Sequence, residues 1–165
     1  MTASAAGLCP RCQQPLVGAS LGEVTVVVCK TCNGTLLRQL DLLRTLEGLG
    51  ARLLKKFDPD AKLDAVKDAN GRVDCPRCLR TMDRDDYCGA HLVFFDRCNG
   101  CALLWFDADE LSAMSLMSLR MNARQASYAN ANPAGPAFLV ADRGSLAGAV
   151  VDWLTARPSY TWWDW

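Results

Sequence analysis

Residues 75–107 read CPRCLRTMDRDDYCGAHLVFFDRCNGCALLWFD, and this stretch decides the fold. It holds two Cys-x-x-Cys pairs, and the apolar run 92–95 before the second pair favours a β-strand. The same order occurs earlier in the chain, where the apolar run 24–28 precedes another Cys-x-x-Cys pair. The chain therefore contains an internal repeat, C-x2-C-x16-C-x2-C in the first half and C-x2-C-x19-C-x2-C in the second.

Eight of the nine cysteines fall in these pairs. Two Cys-x-x-Cys turns aimed at one point supply four thiolates in a tetrahedron, which suits a structural zinc ion and leaves no open position for substrate. We expect two zinc ions, one held by Cys9, Cys12, Cys29 and Cys32 and the other by Cys75, Cys78, Cys98 and Cys101. An iron–sulfur cluster is the alternative for such a set.

The chain has 165 residues, half of them apolar, and a formal net charge of zero. These values indicate a globular protein and argue against a strongly basic nucleic-acid coat. The N-terminal residues lack the basic and apolar regions of a secretory signal, and no apolar run is long enough to span a membrane. We therefore expect a cytoplasmic location, where thiols stay reduced and bind metal.

The repeat predicts an α+β fold of two small β-hairpin zinc ribbons, each followed by a helix. The first helix is expected over about 36–57 and the second over about 109–124, with Asp107 or Asp109 as its cap. We assign residues 1–57 to ribbon 1 and its helix, 58–71 to a linker, 72–124 to ribbon 2 and its helix, 125–137 to a flexible tether, and 138–165 to a C-terminal helix and aromatic tail.

Two apolar surfaces point to partners. The first helix carries two leucine stripes rather than one, which predicts burial on two sides, against its own ribbon and against the second unit, a partner or a second copy of the chain. The tail is rich in tryptophan, an amino acid enriched at binding hot spots. We expect it to bind another protein through Tyr160, Trp162, Trp163 and Trp165. Docking of the tail on its own chain is the alternative.

The second unit resembles the transcription-factor-IIB-type zinc ribbon of small bacterial proteins. The resemblance rests on its two Cys-x-x-Cys pairs followed by Trp105-Phe106-Asp107 and then by Glu110-Leu111. That family carries paired glycines where Ala102 and Leu103 stand here. The first unit keeps Asn33-Gly34 but has Leu36 at the position of the tryptophan. The resemblance implies the metal fold and leaves the biochemical role open.

Cys88 and His91 offer a competing ligand set with Cys75 and Cys78. That set would leave Cys98 and Cys101 without a metal and would break the repeat. A hairpin tip with a free thiol and a solvated histidine is the simpler interpretation.

The sequence contains no nucleophile–base pair and no phosphate-binding glycine loop, so we expect no enzyme. The leading hypothesis is a protein-binding adaptor or assembly factor. The alternative is a nucleic-acid-associated regulator that uses the first ribbon and helix, with Arg11, Lys30, Arg38 and Arg44 on phosphate. Charge disfavours it, since residues 58–113 hold seven basic and twelve acidic side chains.

Overall fold

The computed structural model describes residues 7–53, 66, 71–89 and 91–131. Within them the chain forms six strands and two helices, and the predicted α+β class is confirmed. In chain order the elements are β1 (Val17–Leu21), β2 (Val24–Val28), β3 (Thr35–Arg38), α1 (Leu42–Leu53), β4 (Asp83–Asp86), β5 (Phe94–Cys98), β6 (Leu103–Phe106) and α2 (Glu110–Ala131).

The two ribbons share one sheet. Each contributes three antiparallel strands, and the strand order is β1-β2-β3-β6-β5-β4. The central pair, β3 with β6, joins the ribbons through four facing residue pairs: Thr35 with Phe106, Leu36 with Trp105, Leu37 with Leu104 and Arg38 with Leu103. The hydrogen bonds of this central pair make the ribbons one continuous layer.

An approximate two-fold axis relates the ribbons. Leu36 lies four positions after Cys32, as Trp105 lies four positions after Cys101, so the two residues are equivalent in the repeat. They are also paired with each other across β3 and β6, which places the axis through this pair. The outer strands obey the same symmetry, because β2 and β5 flank the centre and β1 and β4 form the edges.

Alternation along the central strands gives the sheet two buried faces. Leu36 and Trp105 lie on the face that carries the cysteine groups. Neighbouring positions point to the opposite face, and Leu37, Leu104 and Phe106 are buried there. The ring of Phe106 stacks on that of Phe95 with 5.3 Å between centroids.

The helices contact each other as well as the sheet. Leu42 and Leu46 of α1 are buried, and the Ser115 hydroxyl of α2 donates a hydrogen bond of 2.9 Å to the Leu46 carbonyl oxygen. A Cβ added at Gly50 would lie 3.3 Å from the Leu119 side chain, so α1 and α2 approach closely there. The second unit is thus one of the surfaces that cover the leucine-rich helix.

The predicted start of the first helix is wrong. Residues 35–38 form strand β3, residues 39–41 form a 3-10 turn, and the α-helix begins at Leu42. Leu36 and Leu37 are both buried because each faces a different side of the sheet. A short apolar run of this kind fits a strand and a helix equally well, and the pairing with β6 decides for the strand.

The predicted end of the second helix is also wrong. Helix α2 continues past residue 124 to Ala131, into the segment 125–137 assigned to a tether. Alanine is the best helix former, and this stretch contains Ala126, Ala129 and Ala131, which offsets the weaker asparagines. The C-terminal helix and aromatic tail predicted over 138–165, and nearly all of the linker 58–71, lie outside the described residues.

Ala102 adopts a left-handed backbone conformation, with φ of 51°. Its equivalent in ribbon 1 is Asn33, at φ of 58°, and asparagine tolerates this region better than alanine does. The Ala102 carbonyl oxygen accepts a 2.9 Å hydrogen bond from the Gln39 backbone, so the turn is fixed. The strain therefore cannot relax without loss of a contact between the ribbons.

Ala102→Gly is expected to raise the free energy of unfolding by about 0.5–1 kcal/mol, because glycine adopts positive φ without strain. Chemical denaturation of the zinc-loaded protein measures this. Ala113→Gly, within helix α2, is the matched control and should destabilise by about 1 kcal/mol. A loss of stability in both variants would contradict the strain argument.

Candidate metal centres

Ribbon 1 brings four cysteines from two distant turns to one point. The sulfur atoms of Cys9, Cys12, Cys29 and Cys32 all lie within 4.8 Å of one another. The Sγ atoms of Cys9 and Cys32 are 3.4 Å apart, and those of Cys12 and Cys29 are 3.3 Å apart. Four sulfurs bound tetrahedrally to zinc would be about 3.8 Å apart, since each Zn–S bond is about 2.3 Å. This group can therefore bind a zinc ion.

Ribbon 2 repeats the arrangement. The sulfur atoms of Cys75, Cys78, Cys98 and Cys101 also lie within 4.8 Å of one another, with 3.6 Å between those of Cys78 and Cys98. In both groups the first cysteine of each pair is buried and the second is partly buried. All eight are free thiols rather than disulfides. The structure thus supports two zinc sites, one in each ribbon, as the spacing predicts.

Hydrogen bonds from the backbone oppose the effect of burial on the thiols. The Arg11 N–H donates to the Cys9 sulfur over 3.4 Å, although burial still raises the pKa of Cys9. In ribbon 2 the backbone N–H and then the guanidinium of Arg80 lower the pKa of Cys78 to about 6. In ribbon 1 burial opposes ionisation, but the N–H groups of Cys32 and Thr31 help to lower the pKa of Cys29 to about 6. Hydrogen bonds of this kind favour the thiolate, which is the form that binds zinc.

Trp105 links the two metal sites. Its side chain is fully buried in one cluster with Cys9 and Cys29 of ribbon 1 and Cys75 and Cys98 of ribbon 2. Trp105 therefore packs between the two ribbons and not between ribbon 2 and its helix. Successive strand residues face opposite sides, so only Phe106 lies on the face away from the cysteine groups.

Gly34 of ribbon 1 lies directly against Trp105. A Cβ built on Gly34 would be 2.2 Å from Cζ2 of the indole ring, closer than any real side-chain contact. The glycine is therefore required by the neighbouring ribbon and not by its own turn. The sequence shows Asn33-Gly34 as a family feature but does not specify the residue that Gly34 contacts.

Arg11 and Asp107 form a second link between the ribbons. The guanidinium Nη2 is 2.7 Å from Asp107 Oδ2, and Nε is 3.0 Å from Asp107 Oδ1. Asp96 contributes a longer contact of 3.5 Å to the same guanidinium. The Trp105 indole N–H donates to Asp107 Oδ1 over 2.9 Å, so the ion pair also orients the buried ring. Arg11 is a candidate phosphate contact in the sequence, where nothing indicates this ion pair with Asp107.

Cys88 and His91 lie outside both metal groups. Cys88 is exposed, and partial desolvation of its sulfur raises rather than lowers its pKa. The His91 side chain is 81% exposed, with Nδ1 2.7 Å from an Asp86 carboxylate oxygen. Both residues lie between β4 and β5, as the hairpin-tip interpretation predicts. The competing ligand set is therefore wrong.

Glu110 is a buried carboxyl group at the start of α2. Its Oε2 accepts a 2.7 Å hydrogen bond from the Asp107 backbone N–H, and the residue is 2% exposed. Asp107 thus lies just before the helix, and its backbone N–H is the donor of this capping hydrogen bond. Burial raises the pKa of Glu110 to about 8, and the nearby Asp107 carboxylate adds to this rise.

This elevated pKa predicts that stability falls as pH rises. The protonated carboxyl stabilises the fold fully below the unfolded pKa near 4.5, and the contribution is lost as pH rises through about 8. We expect a loss of up to about 1.4 kcal/mol per pH unit across this window, measured by denaturation from about pH 6.5 to 8.5. Glu110→Gln should flatten the slope, while Glu47→Gln, at an exposed site on α1, should not. A slope equal in all three proteins would contradict the assignment.

No helix among the described residues has the length and apolarity needed to cross a membrane. Comparison with curated proteins and with solved structures gives no match. A family model described as a transcription factor zinc-finger matches residues 8–48. The match covers ribbon 1, although the sequence resemblance rests chiefly on ribbon 2. Residues 8–48 therefore match a zinc ribbon of the transcription factor zinc-finger type, and ribbon 2 repeats the four-cysteine site across the same sheet.

Proposed function

We propose that this double zinc-ribbon protein is a non-enzymatic, cytoplasmic adaptor or assembly factor that binds another protein. The observation that carries the proposal is the pair of four-cysteine sites. Each offers zinc four protein ligands, and a tetrahedral ion with four such ligands has no position for water or substrate. Zinc here would supply folding free energy rather than a reaction.

The disposition of the basic side chains supports a protein partner over nucleic acid. Of the four cations that a phosphate-binding ribbon 1 would use, Arg11 pairs with Asp107 and is only 16% exposed at its side chain. Arg38 pairs with Asp41. Lys30 and Arg44 are exposed. Two thiolate-rich sites also add negative charge, since four sulfurs meet one doubly charged ion, so a metal-loaded protein carries about −4.

The aromatic tail stays the predicted contact, although Tyr160, Trp162, Trp163 and Trp165 lie outside the described residues. Truncation after Pro158 tests it. We expect zinc content and melting temperature to stay unchanged while a protein captured by the full chain is lost. A large fall in melting temperature would instead place the tail in the core and contradict the docking role. Self-association through the leucine-rich helix is a separate proposal. Sedimentation of the full-length and truncated proteins tests it.

Salt dependence separates the two functions. Binding through apolar contacts should change little between about 50 and 200 mM salt, whereas nucleic-acid binding should weaken steeply. Anisotropy titrations with single- and double-stranded oligonucleotides supply the second measurement. Tight, strongly salt-dependent binding that Lys30→Ala and Arg44→Ala abolish would favour the nucleic-acid regulator and contradict the adaptor.

A further inference from the structure

The first Cys-x-x-Cys turns of the two ribbons share one backbone shape. We call residues 9–14 knuckle 1 and residues 75–80 knuckle 2. In knuckle 1 the Gln13 N–H donates to the Cys9 carbonyl oxygen over 2.9 Å, and in knuckle 2 the Leu79 N–H donates to that of Cys75 over 2.8 Å. Gln13 and Leu79 have nearly equal φ angles, 59° and 60°. Differences between the knuckles therefore lie in their side chains.

Knuckle 1 points its arginine inward. Arg11 reaches across the two-fold axis to Asp107 and Asp96 of ribbon 2. Arg77 is the equivalent residue of knuckle 2, and it is exposed. Among the residues that the structure describes, Arg77 has no ion pair or side-chain hydrogen bond.

The two-fold symmetry explains why Arg77 has no counterion within the part of the chain that the structure describes. The positions in ribbon 1 that correspond to Asp107 and Asp96 hold Arg38 and Val27. By symmetry, knuckle 2 approaches these two residues of ribbon 1. It therefore meets a cation and an apolar side chain where knuckle 1 meets two carboxylates. Arg38 is itself 64% exposed at its side chain and bonds the buried Asp41. An acidic group from elsewhere would complete the pairing that Arg11 makes within the chain.

Leu79 adds an apolar contact beside this arginine. The residue is 79% exposed, and it holds a left-handed backbone conformation that disfavours a branched, non-glycine side chain. The corresponding residue of knuckle 1 is the polar Gln13. Nothing in the described fold covers Leu79, so its side chain does not contribute to the core. Knuckle 2 thus presents an apolar side chain and a guanidinium only two residues apart.

We propose that knuckle 2 is a docking site for an acidic segment of a partner protein. A carboxylate of the segment binds Arg77, and an adjacent apolar side chain covers Leu79. The chain contains a precedent for this chemistry, because the apolar ring of Trp105 lies next to the Asp107 carboxylate that binds Arg11. The acidic excess of residues 58–113 repels a polyanion such as nucleic acid more than a short segment with one or two carboxylates. A phosphate backbone would also leave Leu79 in water, so both observations favour a protein segment. The inference rests on the proposed protein-binding function and names a site for it.

The test uses a synthetic peptide that copies residues 104–109 (Leu-Trp-Phe-Asp-Ala-Asp) with blocked ends, because this segment presents Asp107 to Arg11. It is titrated into the full-length, zinc-loaded protein, and backbone amide shifts are followed by NMR. We expect saturable shifts confined to knuckle 2 and its neighbours. Arg77→Gln and Leu79→Gln should each weaken binding by about tenfold or more. A peptide with asparagine in place of both aspartates should not bind.

Gln13→Ala on knuckle 1 is the matched control and should leave binding unchanged. Leu79→Gln reproduces the residue that knuckle 1 already carries at this backbone conformation, and zinc content verifies that each variant folds. No binding, binding equal in all variants, or shifts on knuckle 1 would overturn the proposal. So would an oligonucleotide that binds knuckle 2 where the peptide does not. Failure of the knuckle 2 proposal is distinguishable from failure of the proposed function, because the tail truncation tests protein binding without involving knuckle 2.

Discussion

Replacing Cys29 by serine is expected to remove zinc from both sites, although Cys29 belongs to one. The buried cysteines of the two groups lie in a single cluster with Leu36 and Trp105. Loss of one ion leaves three thiolates close together without a compensating charge. Their repulsion weakens the strand pairing of ribbon 1, including the central pair of strands, β3 with β6. Because β3 of ribbon 1 pairs with β6 of ribbon 2, disorder at the first site reaches the second.

The size of the effect follows from the metal. A structural zinc contributes about 10–16 kcal/mol of apparent binding free energy, which equals or exceeds the roughly 5–15 kcal/mol stability of a whole domain. A ribbon alone is too small to compensate through its core. We therefore expect the variant to lose most of its sheet, as seen by circular dichroism, and to hold well under one zinc per chain by mass spectrometry under native conditions.

Cys88→Ser provides the matched control, since Cys88 is exposed and belongs to neither group. It should retain two zinc ions and the wild-type melting temperature. Cys98→Ser should reproduce the Cys29→Ser result from the other ribbon. A Cys29→Ser protein that keeps one zinc and a folded ribbon 2 would show that the ribbons are energetically independent.

Local spacing explains why the ligands were predictable. Each Cys-x-x-Cys turn forms from adjacent residues. The repeat shows which second Cys-x-x-Cys pair completes each site, so Cys9 and Cys75 could be assigned to different zinc sites without a structure. The strand over 24–28 was likewise predicted with its observed bounds, because β-branched residues fill it. These features depend on short stretches of chain.

Contacts between the repeats were not predictable in this way. The Arg11–Asp107 ion pair joins residues 96 positions apart, and nothing near either residue specifies the other. Leu36 and Trp105 are also far apart in the sequence, and their pairing places a strand where the sequence predicts the start of a helix. Apolar periodicity predicts that a residue is buried but does not identify the residues that it contacts. The pairing of the two ribbons in one sheet could therefore not be predicted from the sequence.

Trp105→Ala is the second large effect that we expect, with a loss of about 3–5 kcal/mol in the free energy of unfolding. The indole is fully buried, contacts both ribbons, and donates to the Asp107 carboxylate that holds Arg11. Truncation leaves a cavity beside both metal groups and frees Asp107 from one of its hydrogen bonds. Denaturation of the zinc-loaded variant measures the loss, and Leu40→Ala, at a side chain 70% exposed, should stay within about 0.5 kcal/mol of wild type.

A double-mutant cycle with Gly34 identifies the contact responsible. Gly34→Ala should destabilise the wild-type protein, because the new Cβ meets a rigid ring at 2.2 Å. In the Trp105→Ala background the same change meets empty space and should cost little or even fill part of the cavity. The two effects are therefore expected to be non-additive, as for residues in direct contact. Additive losses would mean that Trp105 does not pack on ribbon 1, and a Trp105→Ala protein that unfolds like wild type would mean that the ring is not part of the shared core.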